Sequence, residues 1–241
     1  MKTKPVNPND REPLSKAPIL RKRASTFDLT KLRSIEAYAI LVDINGFTMT
    51  VERSHQDPNS IAQYVRDVLT GPIAAIEESG GEVLGFMGDA LFGIVPNDVD
   101  TLFITCSSIA REVDRSCEYL SNVQANHSDA WTYAPGGPSL KISAELGWMD
   151  VSTIASRALG HQPILIGTAI NYAARISKPG KGNRCHLGRL AGEQMAKYYR
   201  VDGPYSVDGK EGEPEYSYYR LGLGDVWREG ELEEGDETYW G

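Results

Sequence analysis

Two short apolar runs in this chain are separated by only three residues. Glu82-Val83-Leu84-Gly85-Phe86 and Ala90-Leu91-Phe92-Gly93-Ile94-Val95 flank Met87-Gly88-Asp89, and a connection that short reads as a β-hairpin with an aspartate at its tip. Upstream, residues 35–42 read Ile-Glu-Ala-Tyr-Ala-Ile-Leu-Val and are bounded by Asp43 and Gly46. An apolar, partly β-branched run of that length is the pattern of a buried strand, and its end delivers Asp43. Any fold that pairs these pieces carries two carboxylates where strands meet turns.

The rest of the order follows from periodicity. Residues 59–79 place Ile61, Tyr64, Val65, Val68 and Leu69 at helical spacing, with Pro72 expected to bend or end the helix, and Gly80-Gly81 then break the chain. A second helix is expected from Asp98 or Asp100 to about Leu120, with Leu102, Ile109, Val113 and Cys117 on one side. Residues 128–139, rich in Pro and Gly, read as a loop. Residues 140–149 alternate, with Ile142, Ala144, Leu146 and Trp148 on one side and Lys141, Ser143 and Glu145 on the other. Ile164-Leu165-Ile166-Gly167 leads into a helix over 168–177 that stops before Pro179-Gly180. Strand, helix, hairpin, helix, strand, helix is an α+β order, expected to place the helices on one sheet face.

Composition removes several function classes. With 41% hydrophobic and 24% charged residues among 241, the chain matches ordinary globular usage, and disorder throughout is excluded. The net charge of −8 argues against a general nucleic-acid binder. No apolar run reaches the ~20 residues of a membrane helix, and no signal-peptide core opens the sequence, so a cytoplasmic location is expected. Cys106, Cys117 and Cys185 lack ligand-pair spacing, as do His55, His127, His161 and His186, which by default read as surface or loop histidines. Beside His186, Cys185 reads as a buried thiol. Residues 1–33 form a basic, Pro-containing arm and 223–241 an acidic tail ending Tyr239-Trp240-Gly241, leaving 34–222 as the central domain.

Asp43 and Asp89 carry the chemistry. Singly, each reads as a turn residue. On adjacent strands, two carboxylates repel unless a cation lies between them, and hard oxygen ligands favour Mg²⁺ or Mn²⁺, which grips a nucleoside triphosphate. Two such metals would activate an attacking hydroxyl and stabilise departing pyrophosphate.

Asp43-Ile44-Asn45-Gly46-Phe47-Thr48 resembles the Asp-Ile-x-Gly-Phe-Thr signature of class III nucleotidyl cyclases. Gly80-Gly81-Glu82-Val83-Leu84-Gly85-Phe86-Met87-Gly88-Asp89 resembles that family's second metal hairpin, and Gly167-Thr168-Ala169-Ile170-Asn171-Tyr172-Ala173-Ala174-Arg175 is similar to its Asn-x-x-x-Arg helix. Val207-Asp208-Gly209-Lys210 matches its Gly-Lys element. The resemblance implies a ferredoxin-like catalytic domain with Asp43, Asp89 and the Ile44 carbonyl as ligands of two divalent metals. It implies that Asn171 positions the ribose, Arg175 neutralises phosphate charge in the transition state and Lys210 holds the triphosphate tail. The family composes its site from two subunits, which implies a head-to-tail homodimer.

The purine cyclases of that family read the base with two polar side chains. This chain has Gly85 and Ile164 at those positions. With the metal and Asn/Arg motifs retained, the pattern resembles the bacterial pyrimidine cyclases of Pycsar antiviral systems. That implies UTP, or failing it CTP, as substrate, and a cyclic nucleotide read by a separate effector protein. Arg157, His161, Gln162, Asn45 and Thr50 are candidate readers of the pyrimidine. The alternatives are a purine cyclase with other base readers and a catalytically silent nucleotide-binding module.

Overall fold

A computed structural model describes residues 25–48, 51, 58–126, 139–157, 160–179, 183–210 and 212–223. In chain order the elements are β1 (Ser34–Ile44), α1 (Pro58–Glu78), β2 (Glu82–Met87), β3 (Ala90–Pro96), α2 (Val99–Asn126), β4 (Leu140–Ser156), β5 (Gly160–Ile166), α3 (Thr168–Ile176), β6 (Arg184–Gly188), α4 (Arg189–Met195), β7 (Val201–Val207) and β8 (Tyr216–Leu221). The strands form one sheet in the order β2-β3-β1-β4-β6-β8-β7, with β5 paired to β4.

β1 is buried on both faces, which explains its nearly continuous apolar sequence. Tyr38, Ile40, Val42 and Ile44 pack with Val68 and Leu69 of α1 and Leu102 and Ile109 of α2. Ile35, Ala37 and Ala39 point the other way, into a second cluster with Met149 of β4 and Ala169 of α3. The expectation of helices on one face is therefore corrected, because α3 covers the opposite face. Small residues admit it: a Cβ on Gly147 would lie 3.1 Å from the Ala169 Cβ.

Pro72 lies inside α1 without ending it. Buried Val68, Leu69, Ala75 and Ile76 flank it on both sides, and this packing offsets the hydrogen bond the ring removes. The hairpin forms as expected, β2 pairing β3 from Glu82↔Ile94 to Met87↔Ala90, and β1 pairs the other edge of β3 from Ala37↔Pro96 to Asp43↔Ala90. β4 runs to 17 residues, and past its last pairing with β1 at Asp150 it continues over 151–156 as a two-stranded arm with β5. The polar side of β4 is not solvent-facing, since Ser143 and Glu145 are buried. The Glu145 carboxylate accepts the Leu146 and Ala191 N–H groups at 2.7 and 3.0 Å, while burial holds its pKa above the usual carboxylate range. A Cβ on Gly188 would come within 2.1 Å of that carboxylate, so any side chain there would have to displace Glu145.

Among the described residues no helix is long and apolar enough to cross a membrane. Cys106 and Cys185 are free and buried. His186 corrects its surface reading: it is 1% exposed in the middle of β6, with Nδ1 2.8 Å from the Ile176 carbonyl oxygen. Burial, with Arg220, Arg184 and Lys141 facing it, lowers its pKa from 6.5 to about 4. A depressed pKa means the neutral ring contributes stability above pH 6.5 that is lost as pH falls toward about 4. One such group gives a slope of about 1.4 kcal/mol per pH unit. His186→Gln has no charge to gain. Denaturant unfolding should therefore show wild type more stable near neutrality and the gap closing toward about pH 4.5.

Candidate active site

Asp43 is the penultimate residue of β1, cross-strand from Ala90 on one side and Lys141 on the other. Asp89 immediately precedes β3, and its carbonyl accepts the Ile44 N–H at 3.3 Å. Gly88 closes the turn at φ 67°, a left-handed conformation that glycine adopts without steric cost. The hairpin thus sets the two aspartates next to each other, both partly buried. Burial and the charge of Asp89 raise the Asp43 pKa against the pull of Lys141. Burial raises that of Asp89 as well.

Two adjacent, partly desolvated carboxylates, each costly to ionise, fit a divalent cation. Among the described residues no cluster of three or more His, Cys, Asp or Glu side chains assembles. A divalent cation at these two carboxylates would have to take most of its ligands from outside these side chains, as Mg²⁺ does where it keeps several waters.

A second group of side chains is built on α3. Gly167 opens the helix where a Cβ would lie 2.7 Å from the Trp148 carbonyl oxygen, so α3 starts hard against β4. Asn171 and Arg175 follow one turn apart on one helix face. Between them the Tyr172 hydroxyl donates to the Ser217 carbonyl at 2.8 Å and accepts the Ser217 N–H at 3.0 Å, fastening α3 to β8. Arg175 forms an ion pair with Glu213. The same carboxylate accepts the backbone N–H of Lys210 at 3.1 Å, and the Glu213 N–H donates to the Lys210 carbonyl at 2.7 Å. Gly209 permits this turn, since a Cβ there would sit 2.4 Å from the Pro214 carbonyl oxygen.

Within one chain the base of the Lys210 turn lies apart from Asp43 along the sheet. Ala144 aligns with Leu187 and Leu187 with Tyr219, so β8 begins beyond the level of Ala144, away from the Lys141 row that holds Asp43. Tyr216, where the Lys210 turn ends and β8 begins, is therefore six rows, about 20 Å, along the strands and three strand spacings, about 14 Å, across from Asp43. Among the described residues no hydrogen bond or ion pair joins the aspartates to Asn171, Arg175 or Lys210.

Gly85 adjoins a register shift in the β2–β3 ladder, and an added Cβ would meet nothing within 4 Å. Ile164 pairs with Ser152 in the arm. Arg157, His161 and Gln162 are exposed toward the arm's far end, and the Asn45 N–H donates to the Ser139 carbonyl at 2.8 Å. Thr50, His55, His127, the 128–138 loop, residues 1–24 and the acidic tail from 224 lie outside the described residues, as does the side chain of Cys117. Two neighbours of the site escape sequence reasoning. Lys141 could be read only as one of the polar residues of β4, and Glu213 has no local signal at all.

No protein-family model matches the sequence, and no curated protein does. Solved structures match the fold. The guanylyl cyclase Cya2 superposes with a TM-score of 0.65 at 18% identity, covering 81% of this chain and 96% of that one. The adenylyl cyclase CyaB from P. aeruginosa gives 0.60 at 12% identity over 79% of this chain and 96% of its own. The guanylate cyclase domain of RhGC from Catenaria anguillulae, in complex with GTP, gives 0.59 at 15% identity over 79% and 98%. The chain has the α+β fold of class III cyclase catalytic domains.

Proposed function

We propose that this chain is a metal-dependent nucleotidyl cyclase acting on a pyrimidine nucleotide, UTP in preference to CTP, and forming the 3′,5′-cyclic nucleotide and pyrophosphate. The observation that carries the reading is the pairing of Asp43 with Asp89 at one end of this fold, with both purine-reading positions, Gly85 and Ile164, lacking polar side chains. A site built to hydrogen-bond a purine edge loses that base when the partner is removed, because the edge is left unpaired.

Divalent metal bound at Asp43, Asp89 and the Ile44 carbonyl would supply charge compensation and lower the pKa of the ribose 3′-hydroxyl. The chain's own residues do the positioning. Asn171 holds the ribose so that the 3′-oxygen faces the α-phosphorus in line with the departing pyrophosphate. Arg175 places a fixed guanidinium where charge accumulates on the phosphates, and Lys210 takes the triphosphate tail. Lys141, cross-strand from Asp43, adds positive charge beside the aspartates. As the base of the Lys210 turn lies about 20 Å along the strands from Asp43 in one chain, a second copy, head to tail, would complete each site. Exposed apolar side chains suit that contact: Phe86 and Met87 on the hairpin, and Trp148, Ile154 and Ile166 on β4 and β5. The resemblance to pyrimidine cyclases supports a role in cytoplasmic antiviral signalling, with the cyclic nucleotide read by a separate effector.

Mass-spectrometric identification of the product after incubation with all four nucleoside triphosphates and Mn²⁺ tests the reading. Cyclic UMP or cyclic CMP supports it. A purine product keeps the chemistry and overturns the base assignment, a second reading favoured by solved structures named for adenylyl and guanylyl cyclases. No product from any of the four favours a silent nucleotide-binding module. The open space at Gly85 gives a further expectation. Gly85→Lys should leave stability within about 0.5 kcal/mol, as surface substitutions do, while depressing pyrimidine turnover relative to purine turnover, read by competition between paired substrates.

A further inference from the structure

Arg175 is not free. Its guanidinium meets the Glu213 carboxylate, and that carboxylate also takes the Lys210 backbone N–H. An anionic group thus already bridges two of the three elements that would receive the triphosphate. Arg175 and Glu213 are 21% and 30% exposed, within reach of water and of an incoming ligand. The pairing deepens both charges: Glu213 is held below the usual carboxylate range by the Lys210 amide and then by Arg175, and Arg175 is raised chiefly by Glu213.

We propose that Glu213 is an internal stand-in for the substrate's phosphates, holding Arg175 and the Lys210 turn in the nucleotide-free protein and leaving when a polyphosphate arrives. The inference rests on the reading of Arg175 and Lys210 as triphosphate ligands. Carboxylate and phosphate oxygens compete for the same guanidinium donors, and a triphosphate brings more charge and more acceptors than one carboxylate. Displacement frees a carboxylate next to new negative charge, so Glu213 must swing outward. The closed turn between Lys210 and Glu213, made by one backbone hydrogen bond, is the element that opens. Glu213 is then a positioning residue that sets affinity through Arg175 and the Lys210 turn. It protects the unliganded site from lesser anions at the expense of some substrate binding.

Glu213→Gln keeps the shape and removes the charge. Titration of the purified protein with inorganic tripolyphosphate by calorimetry should show E213Q binding about fivefold more tightly than wild type, the scale of a partly exposed ion pair. Arg175→Ala should weaken binding in wild type, and E213Q should gain less on top of R175A than in wild type, because part of the effect of Glu213 runs through Arg175 and the rest through the Lys210 turn. In turnover, E213Q should lower KM more than it changes kcat. If E213Q binds tripolyphosphate as wild type does, or more weakly, while R175A still weakens it, Glu213 orients Arg175 or merely braces the turn and the inference is overturned. If wild type and E213Q alike bind no tripolyphosphate, the triphosphate role of Arg175 and Lys210 fails and takes the inference with it. Thermal unfolding of each variant separates a binding change from a folding defect.

Discussion

Asp43→Asn and Asp89→Asn should each abolish metal-dependent turnover, a loss of at least about 10³-fold, while the protein keeps its fold. Each substitution is nearly isosteric but removes a formal charge and half of an oxygen donor set, and charge compensation by a bound metal is worth several kcal/mol of barrier. The same change acts on stability in the opposite sense. Both carboxylates have raised pKa values in the folded chain. Their contribution is therefore present at acid pH and lost as pH rises through those values, which leaves the metal-free protein strained at neutrality. Neutralising one partner removes that repulsion, so the melting temperature of metal-free D43N should equal or exceed that of wild type. Adding Mn²⁺ should raise the melting temperature of wild type and leave D43N unmoved. Thermal unfolding with and without Mn²⁺, at neutral and acid pH, reads all of this independently of any product assay. A D43N protein that still turned over substrate, or still responded to Mn²⁺, would remove Asp43 from the metal site.

Much of the framework could be read from the sequence because its signals are local. The strand ending at Asp43, the hairpin through Gly88-Asp89 and the helix carrying Asn171 and Arg175 each depend on spacing within a few residues, and each is found where expected. The failures share a different cause. α3 sits on the opposite face because Ala37, Ala39 and Gly147 leave room, and residue size at three separated positions carries no periodicity. β6 and α4 have five and seven residues, too few to establish a period of 2 or 3.6. Glu145 and Ser143 read as a solvent side because alternation reports polarity, whereas their burial is set by α3 and by the α4 amides that Glu145 accepts. Lys141 beside Asp43 and Glu213 against Arg175 are consequences of strand register and of a turn, neither of which a linear pattern encodes. Sequence reading thus supplies the candidate chemistry, and the three-dimensional pairing supplies the counter-charges that restrain it.

Mixing two inactive variants should restore activity. D43N lacks a metal ligand, and R175A lacks the guanidinium that neutralises the phosphates; alone, each should be inactive or slowed by orders of magnitude. Within one chain Asp43 and the base of the Lys210 turn at Tyr216 lie about 20 Å apart along the strands and about 14 Å apart across them. In a head-to-tail pair each site would take its aspartates from one copy and its Asn171, Arg175 and Lys210 from the other. A D43N–R175A heterodimer would then concentrate both lesions in one site and leave the other intact. Random exchange of equal amounts makes half the dimers mixed, each with one working site of two, so activity should recover to about a quarter of wild type. D43N mixed with D89N is the control: both lesions fall on the aspartate side, every site lacks one carboxylate, and nothing should return. Activity measured against mixing ratio should peak at equal amounts and vanish at both ends. If the D43N and R175A mixture stays silent while light scattering shows that the subunits exchange, each site is contained in one chain and the shared-site arrangement is wrong. If it recovers, the exposed Phe86, Met87, Trp148, Ile154 and Ile166 are the first positions at which to seek the contact, and Ile166→Asp should abolish recovery by keeping the copies apart.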